Sequence, residues 1–304
     1  MDDWKALAVF ASVVRHGSMS AAARQLGLST SAISQQVRAL EQSHGVTLLH
    51  RSTRKLALTD AGERVYAECA RMVEAAERAQ QQLRTTRDAP SGELRLAAPI
   101  GFGPYIAPAL TPLLAAHPAL TLRLLVDDAM IDLIDARIDL AVRVGRLPDS
   151  SWVARRLCAI ELWLCAAPAY LQQHGQPRTP EELLGRHWLS QGGARGNEGM
   201  GLLLHLQHDG GQQRTLRVEP RVSSNNQLLL QQMCLAGLGL ALLGSPDAHA
   251  DIQAGRLQRV LPEWRLPVLD VWALTPQRDA QPAKVRHATE ALADYLRSLP
   301  GMLP

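Results

Sequence analysis

No stretch of the 304 residues approaches the roughly 20 consecutive apolar residues that a membrane-crossing helix needs, although 46% of the chain is apolar. The opening "MDDWKALAVF" lacks a basic leader and a small-residue cleavage site, so no secretory signal is expected. Four cysteines in 304 residues, with no CxxC pair, read as a reduced, cytoplasmic protein rather than a disulfide scaffold. The ten histidines show neither HxH nor HExxH spacing, so no metal site is expected. GxSxG and P-loop motifs are absent. Lys284 is the sole lysine beyond residue 90, which argues against a lysine-bound pyridoxal cofactor. The expectation is therefore a chain that is not an enzyme and holds no cofactor.

What is present is unevenly placed. The net charge of +3 conceals a split. Residues 1–59 hold seven Lys or Arg against three acids, residues 60–90 five against six, and residues 91–304 twenty against twenty. A small basic head on a neutral body suggests a polyanionic partner for the head.

Within the head, Trp4, Leu7, Ala8, Ala11 and Val14 make a helical stripe that stops at Gly17. Ser20 is a candidate cap for a short second helix, "AAARQL", which Gly27 ends. Ser29 caps and Gly45 ends a third. On this third helix Ile33, Val37 and Leu40 form an apolar face, while Ser31, Ser34, Gln35 and Arg38 form a polar one. Two helices joined by a tight "GLS" turn, the second with a polar-basic face, are the signature of a helix-turn-helix. "LLHRSTRKLALT" then reads as two short strands around a Ser52–Lys55 turn, a wing.

A long helix follows, opening at Thr59 or Asp60, with Glu63 available for a capping box. Val65, Cys69, Met72, Ala76, Ala79 and Leu83 step by four and three, an a/d heptad seam. A dimerising helix is the favoured reading; packing against the chain's own body is the plain alternative. From Glu93 strands and helices alternate: "ELRLAA", "YIAPALTPLLAAH", "LTLRLLVDD", "MIDLIDARI", "DLAVRVG". Such alternation predicts a parallel sheet with helices on its faces. The chain then enters a second α/β set and returns through "LDVWALTP", which makes two lobes with a cleft.

This sequence resembles the LysR-type transcriptional regulators over essentially its whole length. The head motif "FASVVRHGSMSAAARQLGLSTSAISQQVRALEQSHGVTLLHRSTRKLALTDAGE" is highly specific. "LAAPIGFG", "DLAVRVGRLPDSSWVARRL", "LCAAPAYL" and "NNQLLLQQMCLAGLGLALL" follow in family order. The resemblance implies an α/β protein with three parts: a winged helix-turn-helix (1–59), a dimerising linker helix (60–88) and a two-lobed effector domain like a periplasmic binding protein (92–304). Lobe I would span about 92–160 and 268–304, and lobe II about 161–267. It also implies double-stranded DNA, a small-molecule effector and further copies of the chain (homodimer or homotetramer) as partners, with RNA polymerase as a further candidate and no membrane.

On this reading Ser31, Ser34, Gln35 and Arg38 face DNA. An amide pairs with adenine, and a guanidinium pairs with guanine or a phosphate. Many family members carry Arg where this chain has Gln35, and often Pro at Ser31, so their operators do not transfer. Arg51, Arg54 and Lys55 would hold phosphates from the wing, with an ordinary solvated turn as the alternative. "PIGFGP" follows a strand and opens a helix, a switch whose outward amides suit an anion. The resemblance implies an effector held between the lobes near this loop, which makes Ile100, Gly101 and Phe102 candidate contacts, although "IGF" lacks the hydroxyl that relatives with hydrophilic effectors place there. Arg143 would supply charge or make a salt bridge. Ser224 and Asn225 are candidate contacts or helix caps, and Gly237 and Gly239 read as turn glycines. The cysteines read as buried structural thiols; a redox-sensing regulator acting through Cys158 and Cys165, seven apart on neighbouring strands, is the rival.

Overall fold

The computed structural model describes residues 3–51, 56–127, 132–147, 152–192, 201–276 and 281–304, with Arg51 described in its backbone alone. The chain divides into two compact units, Met1–Thr85 and Thr86–Pro304.

The first unit contains α1 (Asp3–His16), α2 (Met19–Leu26), α3 (Thr30–His44), β1 (Leu49–Arg51), β2 (Leu56–Leu58) and most of α4 (Asp60–Asp88). Each helix end has a local cause. The Ser18 hydroxyl accepts from the Ala21 amide and starts α2, so the cap is Ser18 rather than Ser20. Gly27 and Gly45 take φ of 65° and 64°, the left-handed conformation that closes α2 and α3. Ser29 caps α3 by accepting from the Ala32 amide at 3.1 Å. At α4 the Thr59 hydroxyl accepts from the Gly62 amide, so Gly62 holds the third helical position that a Glu63 capping box would need. The core is built from Phe10, Val13, Ala22, Ile33, Val37 and Leu49.

The heptad seam on α4 divides. Cys69 is buried in this core, and Val65, Tyr66 and Val73 pack on it. Ala76 and Ala79 are exposed, and Leu83 is 72% exposed. The expected seam therefore serves the head's own core at its start and is uncovered only in its second half.

The second unit begins with β3 (Gly92–Ala98), a 3₁₀ turn (Ile100–Phe102), α5 (Gly103–Ala116), β4 (Leu120–Val126), β5 (Leu140–Val144) and β6 (Val153–Ile160). Then come β7 (Leu162–Ala166), α6 (Pro168–His174), β8 (Trp188–Gln191), β9 (Leu202–His208), β10 (Gln213–Val218) and β11 (Pro220–Ser224). They are followed by α7 (Gln227–Leu235), β12 (Leu240–Gly244), α8 (Ser245–Gln253), β13 (Gln258–Arg259) and β14 (Trp264–Arg265). The chain closes with β15 (Leu269–Thr275), α9 (Ala283–Ser298) and β16 (Met302–Leu303).

Among the described residues, lobe I is a six-stranded sheet of order β16-β6-β15-β5-β3-β4. It is mixed rather than parallel: β3 runs parallel to β4 and β5, but β15 is antiparallel to β5 and β6. The returning strand enters from the other lobe, which reverses its direction. Helices α5 and α9 cover one face through Ile106, Leu110, Leu292 and Leu296. "MIDLIDARI" is not a long helix over its described part. Asp132–Ile138 makes turns, with the Asp132 carboxylate accepting from the Ile134 and Asp135 amides and Arg137 at φ 51°. Residues 128–131 lie outside the described residues.

Lobe II holds a five-stranded sheet, β11-β8-β12-β7-β13, and a three-stranded one, β10-β9-β14. On β7, Leu164 and Ala166 enter one core, with Tyr170 and Trp188, while Cys165 enters another with Leu230 and Cys234. Glu161 alone separates β6 from β7 and so links the lobes. Its carbonyl accepts from the Ser245 amide at 2.8 Å, and its carboxylate accepts from the Trp163 indole at 3.1 Å.

Candidate functional site

In the head, Ile33 and Val37 are fully buried and Leu40 nearly so, which fixes α3 by its apolar face. Ser31, Gln35 and Arg38 stand exposed on the other side, and Ser34 is half-buried. The Ser31 hydroxyl lies 3.0 Å from that of the capping Ser29. The surface thus offers a hydroxyl, an amide and a guanidinium on a rigid helix, a set able to read base edges in a major groove. At the opposite end Glu41 does what the sequence did not announce. Its Oε1 accepts from the Leu48 amide at 2.8 Å and the Leu49 amide at 3.1 Å, tying α3 to β1. β1 and β2 pair antiparallel, Arg51 opposite Leu56. Arg54 and Lys55 lie outside the described residues, as does the Arg51 side chain.

The second unit contains a cavity of about 460 Å³ to which both lobes contribute. Three of the expected effector residues, Gly101, Phe102 and Arg143, line it. Ile100, Ser224 and Asn225 are not in its wall. Ser224 accepts from the Asn226 amide, and Asn226 in turn caps α7 by accepting from the Leu229 amide, so this segment serves the start of a helix. Asn225 is exposed. The polar wall residues that sequence reasoning missed are Tyr105, Asp127, Ser190, Gln191, Gln227 and Asp247. Gln227 follows the "NN" pair directly, so the motif located the neighbourhood but not the residue. "SPDAH" around Asp247 reads only as a helix start. Gly237 takes φ 79°, as a turn glycine does, whereas Gly239 is needed because a Cβ there would strike the His187 carbonyl.

Two of the amides expected to face an anion are used within the turn. Phe102 N–H donates to the Pro99 carbonyl at 3.0 Å, Gly103 N–H donates to the Ile100 carbonyl, and Pro104 has no N–H. The Tyr105 hydroxyl on α5 donates to Asp247 on α8, a bond from one lobe to the other. Burial pushes the Asp247 carboxyl above the usual carboxylate range, while the Tyr105 hydrogen bond opposes that rise. Burial, and then the neighbouring Asp247, push the Tyr105 phenol up as well. Phe102 and Tyr105 meet edge to face, with ring centroids 5.7 Å apart at 73°. Arg143 donates from Nη1 to the Val142 carbonyl at 3.2 Å.

All four cysteines are buried and unbridged. Burial pushes Cys158 up to about 11 and Cys165 and Cys234 up to about 12. Cys158 and Cys165 follow one another in the chain but sit on strands of different sheets, which corrects the expected neighbouring pair. Thiols held protonated in this way are poor nucleophiles, and the arrangement weighs against an oxidant sensor built on them. Among the described residues no group of three or more His, Cys, Asp or Glu is placed to hold a metal, and no helix is long and apolar enough to cross a membrane.

Comparison with known proteins bears on both units. The family described as "Bacterial regulatory helix-turn-helix protein, lysR family" matches residues 4–63, and "LysR substrate binding domain" matches residues 87–297. The chain is 35% identical over 290 residues to the HTH-type transcriptional regulator DmlR of Escherichia coli, covering 95% of this chain and 93% of that protein. It is 35% identical over 296 residues to the HTH-type transcriptional activator AaeR of the same species, covering 97% and 94%. The full-length structure of the Vibrio cholerae virulence activator AphB superposes with a TM-score of 0.73 at 27% identity, covering 96% of this chain and 98% of that one.

Proposed function

Because the chain belongs to the LysR family of transcriptional regulators, we propose that this DNA-binding regulator is sequence-specific and is switched by a small molecule held between the two lobes of its effector domain. The observation that carries the reading is the division of α3 into two faces. Ile33, Val37 and Leu40 are buried, and Ser31, Gln35 and Arg38 project from the same rigid helix. On this proposal Ser31, Ser34, Gln35 and Arg38 read base edges, with Gln35 favouring adenine, and Arg51, Arg54 and Lys55 hold phosphates that set register. The uncovered second half of the α4 seam, ending at Leu83, supports pairing with another copy of the chain, and the family resemblance extends this to a tetramer.

The effector would occupy the cavity walled by Gly101, Phe102 and Arg143. A ligand with different affinity for the open and closed arrangements of the lobes shifts the balance between them. That shift would respace the heads, alter DNA bending and change contact with RNA polymerase. The test is a footprint on the DNA upstream of the neighbouring genes. Gln35→Ala and Arg38→Ala are expected to abolish the specific footprint while the circular dichroism and the oligomer stay unchanged. Wild-type footprints from both variants would refute the recognition assignment.

A further inference from the structure

We propose that the interlobe cavity is built for an organic ammonium, an amine on an apolar body whose nitrogen rests on the carboxylate of Asp247. The proposal rests on the cavity being the effector site.

Asp247 is a half-buried carboxylate in the cavity wall. Its hydrogen-bond partner is a neutral hydroxyl, that of Tyr105. No cation is paired with it among the described residues, and only burial and that hydroxyl displace its titration. A carboxylate partly withdrawn from water with no counter-charge is costly, and a cation delivered beside it recovers part of the cost. The first turn of α8 offsets a part of it by presenting the positive end of its dipole.

The aromatic pair beside it is suited to the same head group. Phe102 and Tyr105 both line the cavity, and aromatic rings in a wall attract a cation that reaches their faces. The features that would hold an anion are reduced. "IGF" carries no hydroxyl, the Phe102 and Gly103 amides bond within the 3₁₀ turn, and Pro104 has none. Of the three charged residues in the wall, two are acids, Asp127 and Asp247, against Arg143 alone, which is itself hydrogen-bonded to the Val142 carbonyl. Ile160, Leu162, Leu202, Leu242 and Leu269 supply walls for an apolar body. An ammonium on Asp247 would compete with Tyr105, and because that bond joins the lobes, occupancy would be felt at the contact between them.

Titration calorimetry of the full-length protein with 2-phenylethylammonium, 2-phenylethanol and 3-phenylpropanoate tests this, since the three share a ring and differ in head group. The amine is expected to bind tightest, by about tenfold or more over the acid. Asp247→Asn should weaken the amine by about tenfold and leave the alcohol within a few-fold. Tyr105→Phe keeps the carboxylate and should keep the preference for the amine. A tighter acid, an amine affinity indifferent to Asp247→Asn, a preference lost in Tyr105→Phe, or no amine binding at millimolar concentration overturns the ammonium assignment. Leu202→Trp separates that outcome from failure of the cavity reading. If the acid binds and Leu202→Trp blocks it, the cavity stands and the ammonium falls. If Leu202→Trp leaves every affinity unchanged, the cavity is not the site.

Discussion

Glu41 offers the sharpest test of how the head is held. A carboxylate in the last turn of α3 opposes the helix dipole, a penalty of about 0.3–1 kcal/mol. It is retained against that penalty by two charge-assisted bonds, to the Leu48 and Leu49 amides. Leu48 and Leu49 are 4% and 2% exposed, so water replaces the lost acceptor poorly. With each bond to a charged acceptor worth about 1.5–3 kcal/mol and partial rehydration allowed, Glu41→Ala should destabilise the junction of α3 and β1 by about 2–4 kcal/mol. At the lower bound the opening constant of those amides rises roughly thirtyfold. Hydrogen exchange resolved at Leu48 and Leu49 reads this directly. Glu41→Gln separates position from charge, since it removes the same negative charge from a basic head but keeps an acceptor. It should bind operator DNA at least as well as wild type, whereas Glu41→Ala should bind less well. Exchange at Leu48 and Leu49 within about twofold of wild type in Glu41→Ala would refute the reasoning.

Three further outcomes are expected. Gly62→Ala gains up to about 1 kcal/mol of helix propensity but drives a Cβ into the Leu48 carbonyl, which costs about 3 kcal/mol, so the head should melt earlier; a stabilised variant would contradict the contact. Cys165 and Cys234, pushed up to about 12 from an ordinary 9.0, keep their protons in the fold after the unfolded chain has released them. Their contribution to stability is therefore whole below pH 9 and lost as the pH rises from 9 towards 12, and Cys165→Ala/Cys234→Ala should flatten that decline in denaturant midpoints. Leu83→Asp should leave the melting of the head unchanged and lower self-association in sedimentation, because Leu83 is 72% exposed in the isolated chain.

The parts of the fold that were legible are those with local causes. Ser29 and Gly45 bound α3 through contacts within four residues, and the sequence carries both signals. The apolar spacing of Asp132–Ile138 suits a longer helix as well as the turns it forms, because that spacing is the same for one turn or several. The difference lies in the Asp132 carboxylate and in Asp139, whose own carboxylate must reach the Arg95 amide 44 residues away. Val65 and Cys69 satisfied both readings of the seam, and only the packed head shows which applies to them. The cavity divides in the same way. Gly101 and Phe102 lie on a loop with a recognisable strand-to-helix form. Tyr105 and Asp247 meet across 142 residues, and neither is marked by its neighbours.

The single residue between β6 and β7 has an evolutionary consequence. Successive side chains on a strand point to opposite faces. One residue gained or lost at Glu161 would turn Leu164 and Ala166 towards the place of Cys165, and Cys165 towards theirs, exchanging the contents of two cores at once. Descendants of this chain can lengthen the hairpin between β9 and β10 without such a penalty, but at Glu161 they inherit a fixed length.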